Sequence, residues 1–167
     1  MQPCYCIIDG QSNEQIPASI REATATDFER TAREHWQTDW RTDFIQDTTL
    51  EKYALELDAT KELVGLAAYR DMPEGVLVYV EYMESAPSGN PTLSKTRKYA
   101  GIGAALLAFG IQLPIDYGYG GAIYLKEKQH SFANTICEIM AQSHSAGLTR
   151  SRCCLTAMLR GSCSGNI

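Results

Sequence analysis

The feature of this sequence that most restricts its fold is the stretch KYAGIGAALLAFG at residues 98–110. Two glycines, Gly101 and Gly103, open a run in which large apolar residues recur at helical spacing. These residues are Ile102, Leu106, Phe109 and Leu113. The pattern predicts a helix that begins at the glycines, so its first backbone N–H groups have no intrahelical acceptor. Such a helix end carries partial positive charge and is typical of phosphate-binding sites.

Two other phosphate-binding motifs contain similar glycines, and the spacing here excludes both. In a dinucleotide-binding fingerprint a strand leads almost directly into the first glycine, and a third glycine follows three residues after the second. Here the preceding predicted strand ends at Ser85, and Leu106 occupies the third position. A Walker loop is excluded because no Gly-Lys-Ser/Thr sequence follows. A glycine turn that only feeds a core helix stays open as an alternative.

A second helix is predicted upstream. A Thr-x-x-Glu sequence beginning at Thr26 has the form of a capping box, and Phe28, Ala32, Trp36 and Trp40 follow at intervals of four. We therefore expect a helix from Thr26 that carries both tryptophans on one face. In that position they are core or cleft-wall residues.

Apolar alternation and turn residues predict the strands. The predicted strands are CYCII near the start, SIRE around Ile20, and residues 50–57, 63–69, 76–85 and 122–126. GQSNEQIP is expected to be a loop, and the third and fourth strands a hairpin. The last strand is expected to lie parallel to its neighbour, with the glycine helix as the crossover. Pro114 should kink or end that helix.

Composition limits the size of the protein and its partners. A chain of 167 residues with 44% hydrophobic residues suits one domain with a sizeable core. The net charge of -5 argues against a nucleic-acid surface. The first residues have neither the charged leader nor the apolar run of a signal peptide, and the longest apolar region, Ile102 to Ile111, is too short to span a membrane. Together with six cysteines and no Cys-x-x-Cys, this predicts a cytoplasmic protein with free thiols.

Three segments resemble a known family. IREATATDFERT, ELVGLAAY and KYAGIGAAL resemble the opening, the third strand and the pyrophosphate motif, Gln/Arg-x-x-Gly-x-Gly/Ala, of the GCN5-related N-acetyltransferases, the GNAT superfamily. The resemblance spans residues 18–128, and Lys98 stands where the family usually has Gln or Arg. It implies an α/β, GNAT-like fold with a mixed, mostly antiparallel sheet and flanking helices. It also implies transfer of an acetyl group from acetyl-CoA to a primary amine of a small molecule or peptide, and it leaves a homodimer open.

The resemblance implies no metal site, but it does imply the residues that bind acetyl-CoA. The pyrophosphate group is assigned to Arg97, Lys98, Tyr99, Ala100, Gly101, Ile102, Gly103 and Ala104. The pantetheine arm and the thioester are assigned to Met83, Glu84 and Ser85.

Two glutamates are candidates for the catalytic base that the resemblance requires. An amine must lose a proton before it attacks a thioester, and a carboxylate in a cleft can accept that proton. Glu81 and Glu84 lie three apart on one predicted strand, so we expect them to point to opposite faces. Glu81 is favoured because it lies in the middle of the strand. The alternative is that either glutamate is solvated or ion-paired.

The end of the chain departs from the family. After His130 there is no Tyr, Trp, Val, Pro, Lys or Asp, yet four of the six cysteines are found there. We expect residues 1–130 to form the N-acetyltransferase-like domain. Residues 131–167 are expected to be an atypical tail, poorly packed or a short helix, without the closing strands. A frameshift and genuine divergence both stay open as its origin. The alternative function is therefore a degenerate, catalytically impaired relative that binds CoA or a protein partner.

Overall fold

The structure, a computed structural model, describes residues 4–125 as a seven-stranded sheet with two α-helices. In chain order the elements are β1 (Cys4–Asp9), β2 (Gln15–Glu22), α1 (Ala25–Arg33), β3 (Leu50–Leu57), β4 (Leu63–Met72), a 3-10 turn (Pro73–Gly75), β5 (Leu77–Ser85), β6 (Tyr99–Ala100), α2 (Ile102–Asp116) and β7 (Ile123–Leu125). The predictions for residues 131–167 lie outside the described residues.

The sheet has the strand order β6-β1-β2-β3-β4-β5-β7. All neighbours pair antiparallel except β5 and β7, which pair parallel through Val78↔Ile123 and Val80↔Leu125. The mixed, mostly antiparallel sheet, the β3–β4 hairpin and the parallel crossover through α2 are therefore confirmed.

Each face of the sheet carries its own apolar core. On one face α2 packs through Ile102, Leu106 and Leu113 against a cluster that includes Leu55 and Val64. The apolar spacing of α2 is thus the spacing of its buried side. On the other face the cluster comprises residues of α1, of the segment 34–49 and of the sheet. This second face matters for the candidate site, because segment 34–49 lies between α1 and β3 and covers it.

The prediction for α1 was wrong at both ends. The helix starts at Ala25 because Thr24 and Asp27 form its cap. The Asp27 carboxylate, on the third residue of the helix, accepts hydrogen bonds of 2.8 Å from both the N–H and the hydroxyl of Thr24. The helix ends at Arg33, so Trp36 and Trp40 lie beyond it. Both tryptophans are nevertheless buried, as predicted.

Smaller differences concern strand and helix limits. β2 begins at Gln15, inside the predicted loop, because Gln15 pairs with Ile8 of β1. Pro114 lies in the last turn of α2, which ends two residues later at Asp116. Within residues 4–125, neither helix has the length and apolarity needed to cross a membrane.

Candidate functional site

A cavity of about 380 Å³ opens between the end of β5, the loop 86–98 and the start of α2. All the residues that the resemblance assigns to acetyl-CoA line this cavity, apart from Lys98 and Ala104. Segment 34–49 contributes Gln37, and the loop contributes Asn90. Residues from four separate parts of the chain therefore meet at one place.

The start of α2 presents unpaired backbone donors at this cavity. Gly101 is the N-cap residue and has a left-handed backbone with φ of 87°, a conformation that favours glycine. The first intrahelical bond runs from Ala105 N–H to Gly101 C=O at 3.0 Å, so the N–H groups of Ile102, Gly103 and Ala104 have no acceptor within the helix. A Cβ atom at Gly103 would meet no heavy atom within 4 Å. An anion therefore has open access to the positive end of α2.

Of the two cations before the glycines, only Arg97 lines the cavity. The ammonium of Lys98 lies 3.0 Å from a carboxylate oxygen of Glu62, and the Tyr99 hydroxyl donates to the same oxygen at 2.7 Å. Hydrogen bonding with Tyr99 and then with Glu62 raises the pKa of Lys98 above its ordinary value. The charge of Lys98 is thus paired with Glu62, and Arg97 is the cation placed for an anionic ligand.

The glycine stretch is attached to the far edge of the sheet, which sequence reasoning missed. β6 pairs with β1 through Ile8↔Ala100, and Gly10 N–H donates to Lys98 C=O at 2.8 Å. The contact is so close that a Cβ atom at Gly10 would lie 2.0 Å from the carbonyl oxygen of Arg97. A strand of two residues has no periodicity, so only the pairing reveals it.

One edge of β5 is open beside the cavity. β7 pairs with β5 only as far as Val80, while the other edge of β5 stays paired with β4 up to Ser85. Among residues 4–125, no strand pairs with the outer edge at Met83–Ser85. These residues line the cavity, so a ligand with amide groups can use that edge as a further strand would.

The overall fold of the described residues is similar to that of a solved N-acetyltransferase. The ribosomal-protein-S18-alanine N-acetyltransferase from Escherichia coli superposes with a TM-score of 0.50 at 16% identity, over 75% of this chain and 76% of that one. The described chain has a GNAT-like fold. This confirms the fold that the resemblance implied.

Two further solved structures are similar at lower scores. A possible acetyltransferase from Clostridium difficile 630 has a TM-score of 0.49 at 14% identity, over 74% of this chain and 89% of that chain. AAC(6')-Iy in complex with a CoA-containing bisubstrate analogue has a TM-score of 0.44 at 18% identity, over 81% of this chain and 99% of that one. No family model and no curated protein matches the sequence.

In this GNAT-like sheet the two candidate glutamates lie on the same face, so the prediction of opposite faces was wrong. The register between β4 and β5 passes from Tyr69↔Val80 to Ala68↔Tyr82, which leaves Glu81 as the extra residue of a β-bulge. The bulge shifts the alternation by one residue. Both Glu81 and Glu84 therefore point to the face that segment 34–49 covers.

Glu84 lines the cavity and is buried, with 7% of its surface exposed. Its Oε1 accepts hydrogen bonds from the N–H groups of Gln37 at 2.7 Å and Thr38 at 3.3 Å. Its Oε2 accepts a hydrogen bond of 2.9 Å from the indole N–H of Trp40. All three donors belong to segment 34–49, so the carboxylate fixes that segment to the end of β5.

Glu81 is not among the residues that line the cavity. Its Oε2 lies 3.4 Å from Nε of Arg70, and the same guanidinium contacts Asp47 at 3.2 Å and the hydroxyl of Thr49. Glu81 is therefore ion-paired, and its role as the base stays a prediction.

Sequence reasoning also missed Gln37 and Asn90. The Nδ2 group of Asn90 donates to Oε1 of Gln37 at 3.4 Å, which joins loop 86–98 to segment 34–49. Asn90 is buried, and its own Oδ1 accepts from Thr92 N–H at 2.9 Å. The Asn-Pro pair at 90–91 is a turn signal that points to Asn90. No comparable signal marks Gln37.

Proposed function

We propose that the protein is an acyl-CoA-dependent N-acyltransferase that moves an acetyl group from acetyl-CoA to a primary amine of a small molecule or peptide. The acidic composition agrees with a cationic acceptor. The GNAT-like fold by itself does not decide the chemistry, because one fold hosts many functions.

One observation carries the proposal: unpaired N–H groups at the start of α2 and the open edge of β5 border the same cavity. The first feature can bind a pyrophosphate, and the second can pair with an arm that contains amide groups. CoA combines both groups in one molecule. The open space at Gly103 is what a phosphate needs for close approach to the backbone.

The proposed reaction is an acyl transfer from sulfur to nitrogen. The amine nitrogen attacks the thioester carbonyl, a C–N bond forms, and the C–S bond breaks. The amine proton passes to a base, for which we propose Glu81, directly or through water. The departing thiolate takes up a proton and leaves as free CoA. We propose that backbone N–H groups at Met83–Ser85 polarise the carbonyl oxygen.

A second candidate is a relative that binds CoA without catalysis. Two observations favour it. Glu81 is ion-paired with Arg70 outside the cavity lining, and Glu84 already accepts three hydrogen bonds. Each carboxylate is thus already engaged by another part of the protein, which disfavours its use as a general base.

The experiment has two steps. Isothermal titration calorimetry of the full chain with CoA and acetyl-CoA tests binding, and release of free thiol from acetyl-CoA in the presence of amines tests transfer. Polyamines, aminoglycosides and peptides with free N-termini serve as acceptors. Binding with amine-dependent thiol release supports the transferase, whereas binding without release from any acceptor supports the second candidate. Absence of binding would contradict both.

A further inference from the structure

Segment 34–49 contains no helix or strand, and its position at the cavity depends on Glu84. A buried carboxylate is tolerated when hydrogen bonds compensate for the loss of water. The three donors to Glu84 come from Gln37, Thr38 and Trp40, and Trp40 is fully buried. Removing the charge would therefore release the part of the segment that borders the cavity.

Gln37 is the residue on which these constraints converge. Its backbone N–H donates to Glu84 at 2.7 Å, and its side-chain Oε1 accepts a hydrogen bond of 3.4 Å from Asn90. This hydrogen bond favours the orientation of the carboxamide in which the oxygen faces Asn90 and Nε2 points away from it. The Nε2 group makes no hydrogen bond within residues 4–125, although the side chain borders the cavity. The exposed side chain of Gln37 therefore presents an N–H donor at the cavity.

We propose that Gln37 donates a hydrogen bond to a carbonyl oxygen of the bound acyl-CoA, and that Glu84 and Asn90 are its positioning residues. The inference rests on the proposed function, which supplies the ligand. The acceptor is a carbonyl oxygen because CoA offers carbonyls in its amide-bearing arm and acetyl-CoA adds that of the thioester. In this inference Glu84 holds segment 34–49 in position and does not act as a base.

The first test measures the affinity of the full chain for CoA and acetyl-CoA by calorimetry. Gln37→Ala should weaken binding about fivefold, the effect of one neutral hydrogen bond. A loss for both ligands assigns the contact to the arm, and a loss for acetyl-CoA alone assigns it to the thioester. Thr42→Ala, at an exposed position of the same segment, is the control and should bind as the wild type does. Unchanged affinity of Gln37→Ala for both ligands would overturn the inference.

The second test separates positioning from a general loss of structure. Glu84→Gln and Asn90→Ala should each weaken binding, but neither should weaken it further when Gln37 is already alanine, because both act through Gln37. Additive losses would overturn the positioning role. Asn90→Ala reads the same coupling from the opposite wall if Glu84→Gln does not fold.

Trypsin cleavage of the ligand-free protein after the exposed Arg41 gives a readout that does not depend on CoA. Cleavage should be faster in Glu84→Gln than in the wild type, and unchanged in Gln37→Ala. Equal rates in Glu84→Gln and the wild type would contradict the anchoring role. If the wild type binds neither CoA nor acetyl-CoA, the proposed function fails and the inference fails with it. If the wild type binds the ligands and Gln37→Ala binds both of them equally well, only the inference is overturned.

Discussion

The substitution Gly103→Asp should abolish CoA binding without weakening the fold. A Cβ atom at this position meets no heavy atom within 4 Å, so the side chain enters the cavity rather than the core. Gly103 is the second residue of α2, where a carboxylate stabilises a helix by about 0.3–1 kcal/mol. We therefore expect a melting temperature equal to that of the wild type or higher by up to about 3 °C.

The loss of binding follows from charge. A carboxylate about 4 Å from a phosphate charge costs about 4 kcal/mol at an effective dielectric constant of about 20. Since about 1.4 kcal/mol corresponds to a tenfold change, the affinity for CoA should fall roughly a thousandfold. Calorimetry measures this loss, and differential scanning calorimetry of the ligand-free protein measures the stability.

Two control variants separate the effect of the charge from that of side-chain size, and an effect on the binding site from an effect on the core. Gly103→Asn has nearly the same size without the charge, so it should retain much more affinity than Gly103→Asp. Gly110→Ala, in the same helix, should show the opposite pattern, because its Cβ atom would lie 2.7 Å from the ring of Tyr69. It should lower the melting temperature and leave the affinity for CoA unchanged. Wild-type affinity in Gly103→Asp would refute the site, and a melting temperature several degrees lower would refute the open helix end.

Three further outcomes are expected. Glu81→Gln should lower the transfer rate about 10²–10⁴-fold with little change in CoA affinity, as for a lost general base, and equal rates in steady-state assays would remove Glu81 from the mechanism. Gly10→Ala should destabilise the protein by about 1–3 kcal/mol in urea unfolding and weaken CoA binding, because its Cβ atom clashes with Arg97 C=O at 2.0 Å and displaces the glycine stretch; wild-type values would contradict the attachment to β1. Burial opposes ionisation of Asp27, but hydrogen bonds from Arg21 and Thr24 outweigh the effect of burial and leave the pKa of Asp27 below its ordinary value. The stabilising contribution of Asp27 is therefore complete above the unfolded pKa of about 4 and is lost as pH falls below that value. Asp27→Asn should therefore flatten the decline in stability measured by urea unfolding between pH 5 and pH 2, and an unchanged decline would exclude this role.

The two tryptophans show a first limit of prediction from sequence periodicity. Their burial followed correctly from their apolar character, but their placement on α1 did not. The helix ends at Arg33, after which Trp36 N–H bonds to Thr31 C=O at 3.0 Å and Trp40 N–H to the Thr31 hydroxyl at 3.2 Å. A spacing of four fits a helix, yet here the burial is supplied by a loop that folds back onto the sheet.

The glutamates show a second limit. A period of two predicts opposite faces for Glu81 and Glu84, and one extra residue in β5 reverses the result. The bulge is not visible in the sequence, because it depends on how β5 pairs with β4. The face to which each carboxylate points, and so its partners, was therefore beyond a reading of β5 alone.

The sequence by itself determined the order and type of most elements, the apolar side of α2 and the glycines at its start. These features depend on periodicity and backbone preference over a few neighbouring residues. The tertiary structure alone decided which charged groups meet. Lys98 pairs with Glu62 across 36 residues of sequence, and Glu84 holds Gln37 across 47. Such contacts are set by strand register and loop packing, which act between distant parts of the chain. They leave no periodic signal, since each partner is a single polar residue whose role depends on where the other one lies.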